Sequence, residues 1–307
     1  MTSFALLVDF GSTFTKAALV DLEEARLLAR AQAVTTADNN IMIGLGEALC
    51  EIRRAVPAFE PQDRSLIKLA CSSAAGGLRL VAIGLVPSLT LEAARQAALG
   101  AGAKIVGSYH HKLTGSDINQ IEQNGCDMVL LSGGTDGGNE ECIRHNAGML
   151  AASKVAAPIV VAGNRVVTDE VSSALRLAGK NVETTQNVLP TLEAINVEPV
   201  RDLIRDLFMK RIVRAKGLGE AQDYFGCRVV MPTPMAVLKG AELLARGTKN
   251  DKGWGEIVVV DVGGATTDVH SIAEGRPARV GVILKGVPAP FAQRTVEGDL
   301  GIRYNAR

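Results

Sequence analysis

Two segments far apart in this 307-residue chain share one design. Residues 6–21 read LLVDFGSTFTKAALVD: an aliphatic run, Asp9, then Gly11, hydroxyls, and a charged Lys16 seven positions after Asp9. Residues 257–271 read IVVVDVGGATTDVHS, with the charged Asp268 seven positions after Asp261. A β-rich run, a glycine turn and a second such run predict a hairpin. Two ordinary glycine turns are one explanation, because Asp-x-Gly suits turns generally. The matched offsets favour another, in which both hairpins are copies of one element with one job.

That job follows from what the loops contain. Gly11, Gly263 and Gly264 allow backbone N–H groups to approach a polyanion. Ser12, Thr13, Thr266 and Thr267 add hydroxyl donors for phosphate oxygens, and Lys16 supplies a cation. Asp9 and Asp261 end their strands where a carboxylate repels phosphate unless a metal lies between them. Mg²⁺ resolves the conflict, since it keeps most of its waters and takes one or two carboxylates plus phosphate oxygens. Two such hairpins facing across a cleft would hold a Mg-nucleotide from both walls.

The remaining pattern is α/β. Residues 4–36 read as a three-strand meander. A helix over 41–56 carries Ile41, Leu45, Ala48, Leu49 and Ile52 on one stripe before Pro57. Strands are expected in SLIKLACSSAAGG, AKIVGSY, CDMVLLSGG, PIVVAGN and RVVMP. Between them fall helices over 87–101, with Thr90 as N-cap and Gly100 near its end, around 115–124, after a Thr168 cap, and from Pro199 to Gly217. Such alternation implies substantial parallel pairing. The expected units are 1–100 with the first hairpin, 101–225 as an insertion or continuation, and 226–307 with a connecting helix and the second hairpin, this last half being incomplete.

Lysine plus arginine and aspartate plus glutamate number 33 each, so no net field holds a polyanion. With aromatics at 4%, base-stacking platforms are scarce as well, and nucleic acid is not an expected partner. Five scattered cysteines without a C-x-x-C pair suit reduced thiols. The start MTSFALLVDF lacks a basic leader and its apolar run breaks at Asp9, so no membrane association and a cytoplasmic location are expected.

Lesser candidates carry weaker signals. LLSGGTDGGNEE at 130–141 reads either as a further phosphate or metal loop or as a tight strand-to-helix turn with Asn139 capping. CSSAAGG at 71–77 offers no activating acid or histidine, and small residues there let a backbone come close. His110 and His111 point to opposite sides of a strand, which disfavours a shared metal. His270 is expected to be structural, and Asp268 to brace the hairpin or orient a water.

DFGSTFTKAALVD resembles the first phosphate hairpin of the actin, sugar kinase and heat-shock ATPase superfamily. DVGGATTDVHS is similar to the second hairpin of the seventy-kilodalton chaperones, and VVMPTPMAVLKGAEL to their connecting strand and helix. Together with ACSSAAGGLRLVAIGLVP, LLSGGTDGGNEE and RTVEGDLGIR, these segments resemble the glutamate mutase MutL family. The resemblance implies an actin-like, ribonuclease H-like α/β fold with two halves around a nucleotide cleft. It also implies ATP and Mg²⁺ as ligands, slow ATP hydrolysis, and reactivation of an adenosylcobalamin-dependent mutase by release of damaged cobalamin. The catalytic set would be Asp9, Lys16, Asp261 and Asp268, with Asp9 and Asp261 on the metal. A homodimer, a small-molecule kinase and a non-hydrolysing scaffold stay open. In place of the chaperones' connecting Glu stands Met231, and the superfamily's adenosine-binding glycine pair is not met before residue 307.

Overall fold

The computed structural model describes residues 4–36, 40–73, 77–213, 226, 228–275, 286–287, 289–297 and 300–302. The first sheet is built from the meander β1 (Phe4–Phe10), β2 (Phe14–Asp21) and β3 (Arg26–Val34). Alternation in β1 and β2 turns Leu6, Val8, Phe10, Ala17 and Leu19 to one face. There they meet Ile41, Leu45, Ala48, Leu49 and Ile52 of α1 (Ile41–Ala55) in a single buried cluster. Each large side chain so buried contributes about 1.5–3 kcal/mol. Asn40 accepts from Met42 N at 2.8 Å and starts the helix, as an N-cap should.

Two parallel strands extend this sheet beyond β1: β4 (Ile67–Ser72), then β10 (Arg228–Pro232), in the order β10-β4-β1-β2-β3. Between them in sequence lies a second, wholly parallel sheet. It comprises β5 (Leu78–Gly84), β6 (Ala103–His110), β7 (Met128–Leu131), β8 (Ile159–Val161) and β9 (Val182–Thr184), ordered β6-β5-β7-β8-β9. Both faces are covered, as parallel sheets require. Leu130 and Val160 lie in one cluster with α2 (Glu92–Gly100) and α6 (Val197–Val213). Val129, Leu131 and Val161 pack with α3 (Gly115–Asn124), α4 (Glu141–Ala152) and α5 (Thr168–Leu177).

From β10 the chain enters α7 (Thr233–Arg246), which tolerates Pro234 in its first turn. Leu238, Ala241 and Ala245 of α7 pack on Ile272 and Ala292 of a third sheet. That sheet is the antiparallel meander β11 (Ile257–Val262), β12 (Thr267–Ile272) and β13 (Ala292–Glu297). The two meanders differ in cover: Val258, Val260 and Val262 are exposed on β11, whereas the matching Leu6, Val8 and Phe10 of β1 are buried. A meander extended by parallel strands beyond β1, with a second hairpin-led meander across a cleft, is the actin-like, ribonuclease H-like α/β fold. Among the described residues no helix is long and apolar enough to cross a membrane.

Several local expectations shift. The parallel sheet starts at Leu78, ahead of the unit boundary expected after residue 100. Thr90 does not cap a helix; it sits in a π-helical turn over 87–91, where its hydroxyl accepts from Leu85 N and Val86 N at 2.7 and 3.0 Å. Thr168 occupies the first turn of α5 and donates to Asn164 O at 3.0 Å rather than capping. Helix α6 starts at Val197, two residues before Pro199, and Gly217 lies outside the described residues.

Candidate functional site

The two hairpins close with the same hydrogen bond. Gly11 N donates to Phe14 O at 3.1 Å, and Gly263 N donates to Thr266 O at 2.9 Å. The seven-residue offsets then fall into cross-strand register: Asp9 sits opposite Lys16, and Asp261 opposite Asp268. A Cβ at Gly11 would lie 2.6 Å from Phe14 O, so only glycine fits the first turn. A Cβ at Gly264 would collide with the side chain of Thr13, which shows how closely the tips approach each other. Between them opens a cleft of about 380 Å³, within the usual size range for a small-molecule site. Asp9, Gly11, Ser12, Thr13 and Lys16 line it from one side, and Asp261, Gly263, Gly264, Thr266 and Asp268 from the other.

Asp9 is held by three neighbours. Lys16 Nζ donates to Oδ2 at 3.2 Å, and Thr233 Oγ1 donates to Oδ1 at 2.7 Å. Cys71 Sγ, beside Asp9 on parallel strand β4, reaches Oδ1 at 3.5 Å. Burial, and then the Asp9 charge, push the Cys71 thiol up to about 12, so it stays protonated and is no nucleophile. Thr233 was not legible as a site residue, although the MPTPMAVL segment that contains it was. It brings the start of α7 to Asp9 next to the position where the chaperones carry Glu.

The second hairpin meets a problem the first avoids, since two carboxylates stand directly opposite one another and like charges there are destabilising. Arg294 on β13 answers it. Its Nε and Nη2 donate to Asp268 Oδ1 at 2.9 and 2.6 Å, and Nη1 donates to Leu99 O and Ala103 O at 3.0 and 2.9 Å. Burial draws the Arg294 pKa down, with Asp268 opposing that pull. Of the two roles expected for Asp268, bracing is the one this geometry favours. The same arginine ties the second hairpin to the junction of α2 and β6 in the parallel unit.

His270, cross-strand from Arg294, is completely buried, and neither ring nitrogen has a partner among the described residues. Burial, with Arg294 adding to it, lowers its pKa, against weaker opposition from Asp268 and Asp261. Folding therefore disfavours the protonated imidazole, while the unfolded chain protonates it near pH 6.5. Its contribution to stability is present above that pH and is lost as pH falls. His270→Leu should flatten the acid side of a stability profile from urea unfolding between pH 7.5 and 5, by up to about 1.4 kcal/mol per pH unit. It should cost little at pH 7.5, because a buried polar group without a partner among the described residues is replaced by an apolar one.

Thr267 is a correction. It lies outside the cleft, donating to Leu300 O at 2.6 Å, because adjacent strand residues face opposite ways and Thr266 and Asp268 take the cleft side. The RTVEGDLGIR segment reaches the site unforeseen: Ile302 N donates to Gly263 O at 3.0 Å, and Ile302 lines the cleft. The SGGTDGGN loop leaves a parallel strand for α4, so it is not a third copy of the hairpins. Its Asp136 accepts from Asn187 Nδ2 and Arg165 N at 2.9 and 3.0 Å, and Asn139 accepts from Cys142 N at 3.1 Å. His110 and His111 are both exposed.

The residues suit a magnesium nucleotide. Thr13 Oγ1 is buried beside the cleft with no partner among the described residues, a hydroxyl left over for a phosphate oxygen. No group of three or more His, Cys, Asp or Glu forms a metal cage among those residues. Magnesium needs no such cage, since it takes one or two carboxylates with phosphate oxygens and keeps several waters.

Comparison with known proteins places this architecture in context. The family model described as MutL protein matches residues 5–307. A curated relative, Protein MutL of Clostridium tetanomorphum, is 52% identical over 302 residues, covering 98% of this chain. The chain spans 64% of that relative's length. Among solved structures, nucleotide-free acetone carboxylase aligns with a TM-score of 0.43 at 15% identity, over 97% of this chain and 48% of that one. Ethanolamine utilization protein EutJ from Carboxydothermus hydrogenoformans aligns with a TM-score of 0.15 at 14% identity, over 64% of this chain and 88% of that one. Likenesses so distant carry no argument here. The extent of the family match and the identity to the curated relative do: this chain belongs to the MutL protein family.

Proposed function

We propose that the cleft binds MgATP, that the protein hydrolyses it slowly, and that hydrolysis serves to reactivate an adenosylcobalamin-dependent mutase. The observation carrying this reading is that two Asp-ended, glycine-turned hairpins with one hydrogen-bond pattern line opposite walls of a single cleft. Gly11 to Thr13 and Gly263 to Thr266 would cradle the phosphates, and Asp9 and Asp261 would hold Mg²⁺ through its waters. The metal neutralises phosphate charge when bound. Lys16, paired with Asp9 but with its side chain 58% exposed, can shift to the transferred phosphoryl group. Thr233 and Cys71 keep Asp9 oriented while Lys16 moves. Phosphoryl transfer relies mainly on positioning and electrostatics, so the absence of a strong base beside Met231 is compatible with slow turnover.

The mutase partner rests on the resemblance to the glutamate mutase MutL family. Phosphate release by the full-length protein, measured with and without an inactivated aminomutase, tests both parts. Stimulation by the mutase supports the reading. Release that depends on a small-molecule acceptor would make the protein a kinase, and binding without release would make it a scaffold.

A further inference from the structure

A second, smaller pocket of about 90 Å³ opens beside the cleft, and Ser12, Ser73, Pro234, Ala265 and Thr266 border both. It is far below the roughly 300–1,000 Å³ of sites for drug-sized ligands, and of the scale of a small oxyanion. Its walls come from three parts of the molecule. Ser12 belongs to the first hairpin, Thr266 to the second, and Lys104 to β6 of the parallel unit.

The charge balance in this pocket is specific. Arg294 also lines it, but its charge is matched by Asp268, and four of its N–H groups are already spent on that carboxylate and on Leu99 O and Ala103 O. Lys104 makes no ion pair with any described residue and stands beside the hydroxyls of Ser12 and Ser73, while the Thr266 hydroxyl already donates to Asp268 Oδ2 at 3.4 Å. The Arg294 bond to Ala103 O fixes the residue immediately before Lys104 and thereby sets the start of β6 against the second hairpin.

We propose that this pocket is an oxyanion subsite that takes inorganic phosphate, with Lys104 as its cation and Ser12 and Ser73 as hydroxyl donors. The inference rests on the nucleotide reading of the adjoining cleft. Phosphate freed there can pass across the shared wall without crossing bulk water. Because Lys104 belongs to the parallel unit and Ser12 to the first hairpin, occupancy of the pocket ties the two together, and departure of phosphate loosens the tie. The parallel unit thus gains a direct reason to respond to the state of the nucleotide.

The test is calorimetric titration of the full-length protein with inorganic phosphate, with and without MgADP, in wild type, Lys104→Met and Lys104→Arg. Loss of one charged hydrogen-bond donor should weaken phosphate binding about tenfold or more in Lys104→Met. Lys104→Arg should retain most of it, and MgADP affinity should be unchanged in both variants. Equal phosphate affinity in wild type and Lys104→Met, or no phosphate binding to wild type, would overturn the subsite. Acetate binding more tightly than phosphate would assign the pocket to an acceptor carboxylate and overturn the phosphate assignment. Phosphate binding that survives while MgADP fails to bind would instead remove the nucleotide reading and leave the subsite standing.

Discussion

Arg294→Ala is expected to destabilise the protein by about 3–5 kcal/mol, because it strands Asp268 as a buried carboxylate without its partner. The pair is almost wholly enclosed, with side chains 3% and 6% exposed. The loss extends beyond the pair, since Leu99 O and Ala103 O lose their donor as well. Urea unfolding of the variant should show a large drop in midpoint. Replacing both partners with apolar residues, Arg294→Met with Asp268→Leu, should recover much of that drop, because a buried ion pair repays little more than its own desolvation. A double variant as unstable as Arg294→Ala would mean that the carbonyl contacts, rather than the stranded charge, dominate. That outcome would recast Arg294 as a tether between the third sheet and the parallel unit.

Lys16→Ala should lower ATP turnover by about 10²–10³-fold, the usual loss when a group stabilising transition-state charge is removed. Stability should scarcely change. The Lys16 pair with Asp9 is solvent-accessible on the lysine side, and pairs of that kind contribute about 0–1 kcal/mol. Asp9 also keeps its bond from Thr233. Phosphate release by the variant, read beside its melting curve, separates the catalytic role from a structural one. Unchanged turnover would take Lys16 out of the site.

What the sequence revealed was local. An aliphatic run, a glycine turn and a charge seven positions on are enough to specify a hairpin and its register, so Asp9 with Lys16 and Asp261 with Asp268 could be read directly. The stripe of α1 was equally plain, since its spacing follows the helical repeat. Where the inserted parallel unit splits the first sheet was not, because insertion and continuation of 101–225 read alike and the pairing of Ala70 with Val229 joins residues far apart in the chain. Arg294 and Thr233 escaped notice for the same reason: each reaches its carboxylate from another strand or helix. Thr90 and Thr168 misled because a hydroxyl near a helix start can bond into the preceding turn as well as cap. Thr267 is different. Strand alternation already implied that it and Thr266 could not both face the cleft, and that signal was in plain view.

In the proposed function Asp9 and Asp261 grip one magnesium nucleotide from opposite walls. Calorimetric titration of the full-length protein with a non-hydrolysable ATP analogue, in Mg²⁺ and in EDTA, tests it most directly when wild type is set beside the Asp9→Asn, Asp261→Asn double variant. Wild type should show a single Mg²⁺-dependent site that disappears in the double variant, with its fold intact by circular dichroism. Binding of equal strength in both proteins, or binding indifferent to Mg²⁺, would contradict it.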